Sequence, residues 1–258
     1  MRLERADNGI ARLTFTQAAR GNPIDGTFCS EFCDAANELS CDEDVRAVLI
    51  RAEGKAFSYG GDIAMFLQQL DELPIMIKRW TAGLHMGISR LQRMNAPIVA
   101  AIHGTCAGGM AGIMAGADIV VAEPGTRFVA AYAGIGYCCD AGSSVMLSRR
   151  MGLSRARKYL LLNETLDAET ALSAGLADEI VPAAELENRA NAIATQLAGG
   201  PTLAFGAIRR LLTSAADQAL DVQLEAEAQA LSHIAGTQDA REGLSAFGER
   251  RKPQFKGG

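Results

Sequence analysis

Three glycine-rich segments carry the residues that could do chemistry. The first is Gly54-Lys-Ala-Phe-Ser-Tyr-Gly-Gly-Asp-Ile63, and the second is Ala96-Pro-Ile-Val-Ala-Ala-Ile-His-Gly-Thr-Cys-Ala-Gly-Gly-Met110. In both, a strand end runs into a glycine loop and then into a helix start. Glycine there lets a ligand approach the backbone, and the helix start offers free N–H groups and its positive end. Two such loops facing each other would give two amide donors to one oxygen, although tight turns also use glycine for purely steric reasons. The third segment, Phe128 to Leu147, holds Asp140 within Cys138-Cys-Asp-Ala-Gly142. A carboxylate on a loop can shuttle a proton; it can equally cap the helix that follows, with Ser143 and Ser144 as competing caps. Ser143 and Ser144 have no convincing His/Asp relay for nucleophilic chemistry. His85, His103 and His233 are scattered without metal-ligand spacing, so no metal site is expected. His103, next to the second glycine loop, suits a hydrogen-bonded core histidine, and Cys138 and Cys139 suit inert thiols.

Those segments need a scaffold. Asn8-Gly9 predicts a hairpin within the first fifteen residues, and Asn22-Pro23 a loop. Phe28, Phe32, Ala35, Ala36 and Leu39 share one helical face; Val45 to Arg51 predicts a strand. Ile77, Trp80, Leu84, Ile88 and Leu91 mark a long amphipathic helix that stops before Pro97. A buried strand over Ile98 to Ile102, a helix over Gly108 to Gly116 and a strand over Asp118 to Ala122 follow. Beyond about residue 143 the pattern is mostly helical. Early strands and late helices predict one α/β core, residues 1–195, with a helical C-terminal extension, 196–258.

Composition narrows the partners. The chain has 258 residues, 48% of them apolar and 21% charged, which excludes intrinsic disorder. Its 25 basic and 30 acidic residues give a net charge of −5, with no basic block for nucleic acid. Ile98 to Ala117 has the length of a membrane span but is broken by five glycines and bounded by Pro97 and Asp118, so strand, loop and core helix are expected there. Six cysteines show no CxxC spacing, and Met1-Arg-Leu-Glu-Arg5 opens on a charged strand rather than a secretory signal, which predicts a reducing cytoplasmic setting.

Over essentially its whole length the chain resembles the enoyl-CoA hydratase/isomerase, or crotonase, superfamily. The residues that carry the likeness are Arg20-Gly-Asn-Pro23, Ala56-Phe-Ser-Tyr-Gly-Gly-Asp-Ile63, Pro97 to Gly104, Ala107-Gly-Gly109, Asp118-Ile119 and the ending Glu242 to Phe255. The resemblance implies a crotonase-like spiral of ββα units with a helical C-terminal extension. It implies an oxyanion hole for a thioester carbonyl, with Gly61 and Gly109 as its amide donors. It places Ala56, Ser58, Tyr59, Asp62 and Ile63 along the coenzyme A thioester, and Phe247 and Arg250 at the nucleotide end. It implies no permanently bound cofactor, coenzyme A entering as part of the substrate, and assembly as a homotrimer or dimer of trimers through late helices bearing Leu212, Leu220, Leu224 and Leu231.

The departures matter as much. Hydratases of this family hold water between two glutamates, and the matching positions here are Gly112 and Tyr132. Glycine has no acid–base group, and a tyrosine hydroxyl is a poor base at neutral pH. Asp140 stands where isomerases and a dehalogenase of the family carry a catalytic Asp. Three readings follow: an isomerase of enoyl-CoA or epoxyphenylacetyl-CoA-like substrates with Asp140 as acid/base; a hydratase with its pair re-sited at Asp140 and Tyr132; or an acyl-CoA-binding protein without turnover.

Overall fold

Gly9, at φ 77°, reverses the chain so that β1 (Arg2–Arg5) pairs antiparallel with β2 (Ile10–Phe15), Arg2 opposite Thr14. In this computed structural model, which describes residues 1–258, α1 (Gly26–Cys41) follows, its start capped by Asp25, whose side chain accepts the Phe28 N–H at 2.8 Å. The apolar stripe Phe28, Phe32, Ala35, Ala36 and Leu39 is buried throughout.

The chain then winds as a spiral. β3 (Ala47–Ala52) leads through a loop to α2 (Ile63–Gln68) and α3 (Leu73–Arg93). β4 (Ile98–Ile102), β5 (Thr105–Ala107) and α4 (Gly109–Ala115) form the next turn of the spiral. β6 (Ile119–Ala122), β7 (Arg127–Val129), α5 (Ser143–Met151) and α6 (Leu153–Leu161) form another. β8 (Thr165–Asp167), α7 (Ala168–Ser173) and β9 (Glu179–Ile180) close it. One six-stranded sheet is ordered β1-β2-β3-β4-β6-β9 and runs parallel from β2 onward; a smaller sheet, β5-β7-β8, holds the remaining strands. A bridge between Ser58 and Cys106 ties the β3 loop into that smaller sheet.

Both faces of the large sheet are covered, as continuous apolar runs in a parallel sheet require. Val48, Ile50, Ala100 and Ile102 face the main core with α1 and α3; their neighbours Leu49, Val99 and Ala101 face α8 (Leu186–Ala198). This two-residue alternation is the strand period. The apolar stretch from Ile98 to Ala117 is therefore strand, strand and core helix, and no helix of the chain is long and apolar enough to cross a membrane. The 195/196 boundary falls inside α8; α9 (Thr202–Ala215), α10 (Leu220–Ala235) and α11 (Gln238–Glu249) follow it.

One buried cation pins that helical region to the core. Arg209, 7% exposed, donates to the Leu91 and Met94 carbonyls at the end of α3 and pairs with Asp118 at 2.8 Å. Asp118 in turn accepts the Ile98 N–H at 2.7 Å, the structural role its place at a strand start suggests. Arg209→Met should lower unfolding stability by about 3 kcal/mol in urea titration, because it strands two carbonyls and a half-buried carboxylate. A loss below about 1 kcal/mol would show that the pair is idle.

Candidate active site

The two glycine loops meet. Gly60 and Gly61 lie on the loop after β3; Gly108 and Gly109 open α4. Gly60 has φ 84°, and a Cβ there would stand 3.0 Å from the Ala107 carbonyl oxygen and 3.7 Å from the Gly108 Cα, so the close approach admits only glycine. The amide N–H groups of Gly61 and Gly109 have no acceptor within the chain. Ser58, fully buried, holds the first loop in shape: its hydroxyl donates to the Asn22 carbonyl at 2.7 Å and accepts the Gly60 N–H at 3.0 Å. Asn22 donates to the Glu53 and Ala56 carbonyls, so the Arg20 to Pro23 segment works as a brace.

Asp62 is already occupied. Its carboxylate caps α2 by accepting the Met65 N–H at 3.1 Å and pairs with Arg20. Burial pushes its pKa up, but the Met65 amide and the Arg20 guanidinium outweigh that and hold it below the usual carboxylate value. The Asp62 carboxylate thus serves the loop's own architecture. Ala56 and Ser58 are enclosed, 3% and 0% exposed.

Asp140 does not cap a helix. The N-cap of α5 is Gly142, with no side-chain cap, and it is the Asp140 main-chain carbonyl that accepts the Ser143 N–H, at 2.8 Å. Its carboxylate instead accepts the Tyr132 hydroxyl at 2.7 Å, and the Tyr132 oxygen lies 3.2 Å from Ser143 Oγ. Tyr132 has one proton and gives it to Asp140, so Ser143 donates to Tyr132 in a chain running Ser143, Tyr132, Asp140. Burial, and then the charge of Asp140, push the tyrosine pKa strongly up. Tyr132 is thus a fixed donor rather than a base. A Cβ on Gly109 would stand 3.2 Å from Asp140 Oδ1, which sets the carboxylate against the second amide donor. Ser143 also fills the space beside Gly112, where a Cβ would lie 2.1 Å from its Oγ and 2.8 Å from its Cα. No side chain fits at Gly112 without moving that backbone.

These groups open into a cavity of about 700 Å³, within the range of small-molecule sites. α3 supplies one wall through Ile77, Trp80, Thr81 and Leu84, while Tyr59 and Ile63 line the first loop's side. Phe66, Trp80 and Tyr137 form an aromatic stack, Phe66 lying 6.4 Å from each neighbour, with planes 29° and 18° apart. The Phe66 ring covers Gly61, within 2.9 Å of where a Cβ would project. Among the titratable cavity-lining groups, burial pushes the Cys29 thiol up to about 12, helped by the charges of Asp140 and Asp25. Asp140 is the one carboxylate in the lining. Phe247, 86% exposed near the end of α11, and Arg250, just after it, lie outside the cavity.

His103 Nε2 lies 3.0 Å from the Gly54 carbonyl, the hydrogen-bonded packing expected of it. His85 is the participant the sequence leaves unmarked: its Nε2 accepts the Ala141 N–H at 3.2 Å, beside the candidate base. Its one signal is its place at the edge of the α3 apolar stripe, a turn beyond Thr81.

Known proteins resemble this chain over its whole length. The family model for enoyl-CoA hydratase/isomerase matches residues 5–258. Trans-2-decenoyl-[acyl-carrier-protein] isomerase of Streptococcus mutans is 31% identical over 99% of this chain and 97% of its own. The 1,2-epoxyphenylacetyl-CoA isomerase of Escherichia coli K12 is 30% identical over 99% and 98%. A crystal structure from Mycobacterium abscessus, described as an enoyl-CoA hydratase/isomerase, superposes with a TM-score of 0.93 at 33% identity, over 100% of this chain and 99% of that one. The paired glycine loops, the ββα spiral and these whole-length matches agree: the chain belongs to the enoyl-CoA hydratase/isomerase family and has the crotonase fold.

Proposed function

We propose that this protein isomerises an acyl-CoA thioester through an enolate. The thioester oxygen accepts the Gly61 and Gly109 N–H groups, whose preorganised dipoles stabilise negative charge most as it develops. Asp140 takes the proton from the carbon beside the thioester and returns it at another carbon. Tyr132, held protonated, keeps the carboxylate oriented by donating to Oδ1. The observation that carries this reading is the place of Asp140 Oδ1, 3.2 Å from where a Cβ on Gly109 would stand, in a cavity with no second carboxylate. Two relatives whose names say isomerase support it, one of them acting on a phenylacetyl thioester. The wall of Phe66, Trp80 and Tyr137 suits an apolar acyl group. Phe247 and Arg250 are proposed to meet the coenzyme A nucleotide, Arg250 through a phosphate. Residues 196–258 are proposed to form the contacts of a trimer or dimer of trimers, since Leu212, Leu220, Leu224 and Leu231 are all more than half exposed.

Incubation with 2-enoyl-, 3-enoyl- and epoxyphenylacetyl-CoA followed by mass spectrometry and chromatography tests the reading. A rearranged product of unchanged mass is expected. A gain of water would instead indicate the hydratase, and a bound, unchanged thioester a binder without turnover.

The filled space at Gly112 gives a second check. Gly112→Glu, which restores a family hydratase's carboxylate in sequence, should produce no hydration and should cost about 3 kcal/mol or more of stability, since the side chain must displace Ser143. Hydration of crotonyl-CoA by a stably folded Gly112→Glu protein would show that the pocket can be rebuilt around two carboxylates.

A further inference from the structure

His85 lies outside the acyl cavity, exposed on α3, yet it touches the backbone that carries the base. Its Nε2 accepts the Ala141 N–H at 3.2 Å. Ala141 is fully buried, and its φ of 52° puts a residue with a side chain into the left-handed region. Gly142 follows at φ 75°. Two successive left-handed residues turn the chain sharply between Asp140 and α5, and this turn brings the carboxylate back against Gly109. Such backbone persists only where surrounding contacts over-determine it. The Ser143 N–H bond to the Asp140 carbonyl closes the turn from one side, and Tyr132 fixes the carboxylate from the other. The Ala141 N–H lies between them, and His85 is its one acceptor within the chain.

We propose that His85 is a positioning residue: as a neutral imidazole with its proton on Nδ1, it holds the Asp140–Gly142 turn in its left-handed conformation and so aims the Asp140 carboxylate. The inference rests on the reading of Asp140 as the base. Its consequence lies in where His85 sits. The same helix presents Ile77, Trp80, Thr81 and Leu84 to the acyl cavity, so one rigid element contacts the acyl group and sets the base. Any change in the position of α3 would reach the carboxylate's turn through this hydrogen bond. A displacement of even a fraction of an ångström at a proton-transfer group lowers rate without weakening binding.

Two substitutions separate positioning from mere packing. His85→Leu removes the acceptor on an exposed helix face, where folding is not at stake. His85→Gln places an amide oxygen at about the same reach as Nε2. With a saturated acyl-CoA in heavy water, His85→Leu should lower kcat for deuterium uptake beside the thioester about tenfold, with KM changed less than twofold, and His85→Gln should recover most of the loss. Substrate-free amide exchange should show the Ala141 N–H unprotected in the Leu variant and protected in the Gln variant. Uptake at the normal rate in His85→Leu, or a Gln variant as impaired as the Leu one, would overturn the proposal. Asp140→Asn, run alongside, tells the two failures apart: if it too exchanges normally, the base reading has failed and the catalytic role of His85 with it; if it alone is impaired, only the role of His85 is lost.

Discussion

Asp140→Asn should bind acyl-CoA as tightly as the parent protein while losing at least ~10²-fold in proton exchange at the carbon beside the thioester, the usual scale of general acid–base help. The substitution is nearly isosteric, and the Asn oxygen can still accept the Tyr132 hydroxyl at the position Oδ1 holds, 2.7 Å away. Folding should not suffer, because the carboxylate caps no helix: α5 begins at Gly142 without a side-chain cap. What disappears is the negative charge beside Gly109 that can take a proton. Neither Cys29 nor Tyr132 is a ready substitute. Burial pushes the Cys29 thiol up to about 12, and burial together with the charge of Asp140 drives Tyr132 strongly upward. The chain contains one tryptophan, Trp80, and it lines the cavity, so quenching of its fluorescence reports affinity directly. Deuterium uptake from heavy water, followed by mass spectrometry, reports exchange. Undiminished uptake in the Asn variant would place the base elsewhere and remove the isomerase mechanism derived from Asp140.

The parts of this site that are legible in the sequence are those built from contiguous residues. Gly60-Gly-Asp-Ile63 and Ala107-Gly-Gly109 each contain a strand end, a turn and a helix start, so a local motif states both the backbone geometry and its chemistry. Asp62 as the cap of α2 follows from the same local logic, and Arg20 pairs with it. The Ser143, Tyr132, Asp140 chain is not legible, because it joins residues across an irregular turn that has no period. The bond from His85 to Ala141 spans 56 residues and two elements, so only the fold can make it. Periodicity also reveals a face without revealing what covers it. The α3 stripe predicts one apolar surface, but Ile88 and Leu91 are buried away from the cavity while Ile77, Trp80 and Leu84 form its wall. β5, β7 and β8 have three residues each and β9 two, too short for an alternating pattern to show. They pair because the spiral brings them together.

Gly109→Pro should abolish turnover while leaving a folded protein, and Gly109→Ala shows why. Gly109 is the first residue of α4 and has no positive φ, and proline is well accommodated at a first helical position, where the N–H has no partner within the helix. The helix therefore loses no hydrogen bond, and the proposed oxyanion hole loses its second donor. A Cβ at this site is not free of consequence: it would stand 3.2 Å from the Ala141 Cβ, the Asp140 Oδ1 and the Ile24 Cδ1, each of which must yield by a few tenths of an ångström. Both variants carry that crowding; only Pro lacks the N–H. The ratio of their rates reports the loss of the amide together with the ring Cδ that takes its hydrogen's place. Alanine should slow turnover about tenfold through the displaced carboxylate, and proline should slow it a further ~10²–10³-fold, about 3–4 kcal/mol of transition-state stabilisation. Thermal unfolding of the two variants should agree within a few degrees, since their packing is alike. Equal rates in the Ala and Pro variants would mean that crowding of Asp140 accounts for the whole loss and that the Gly109 amide does not hold the thioester oxygen.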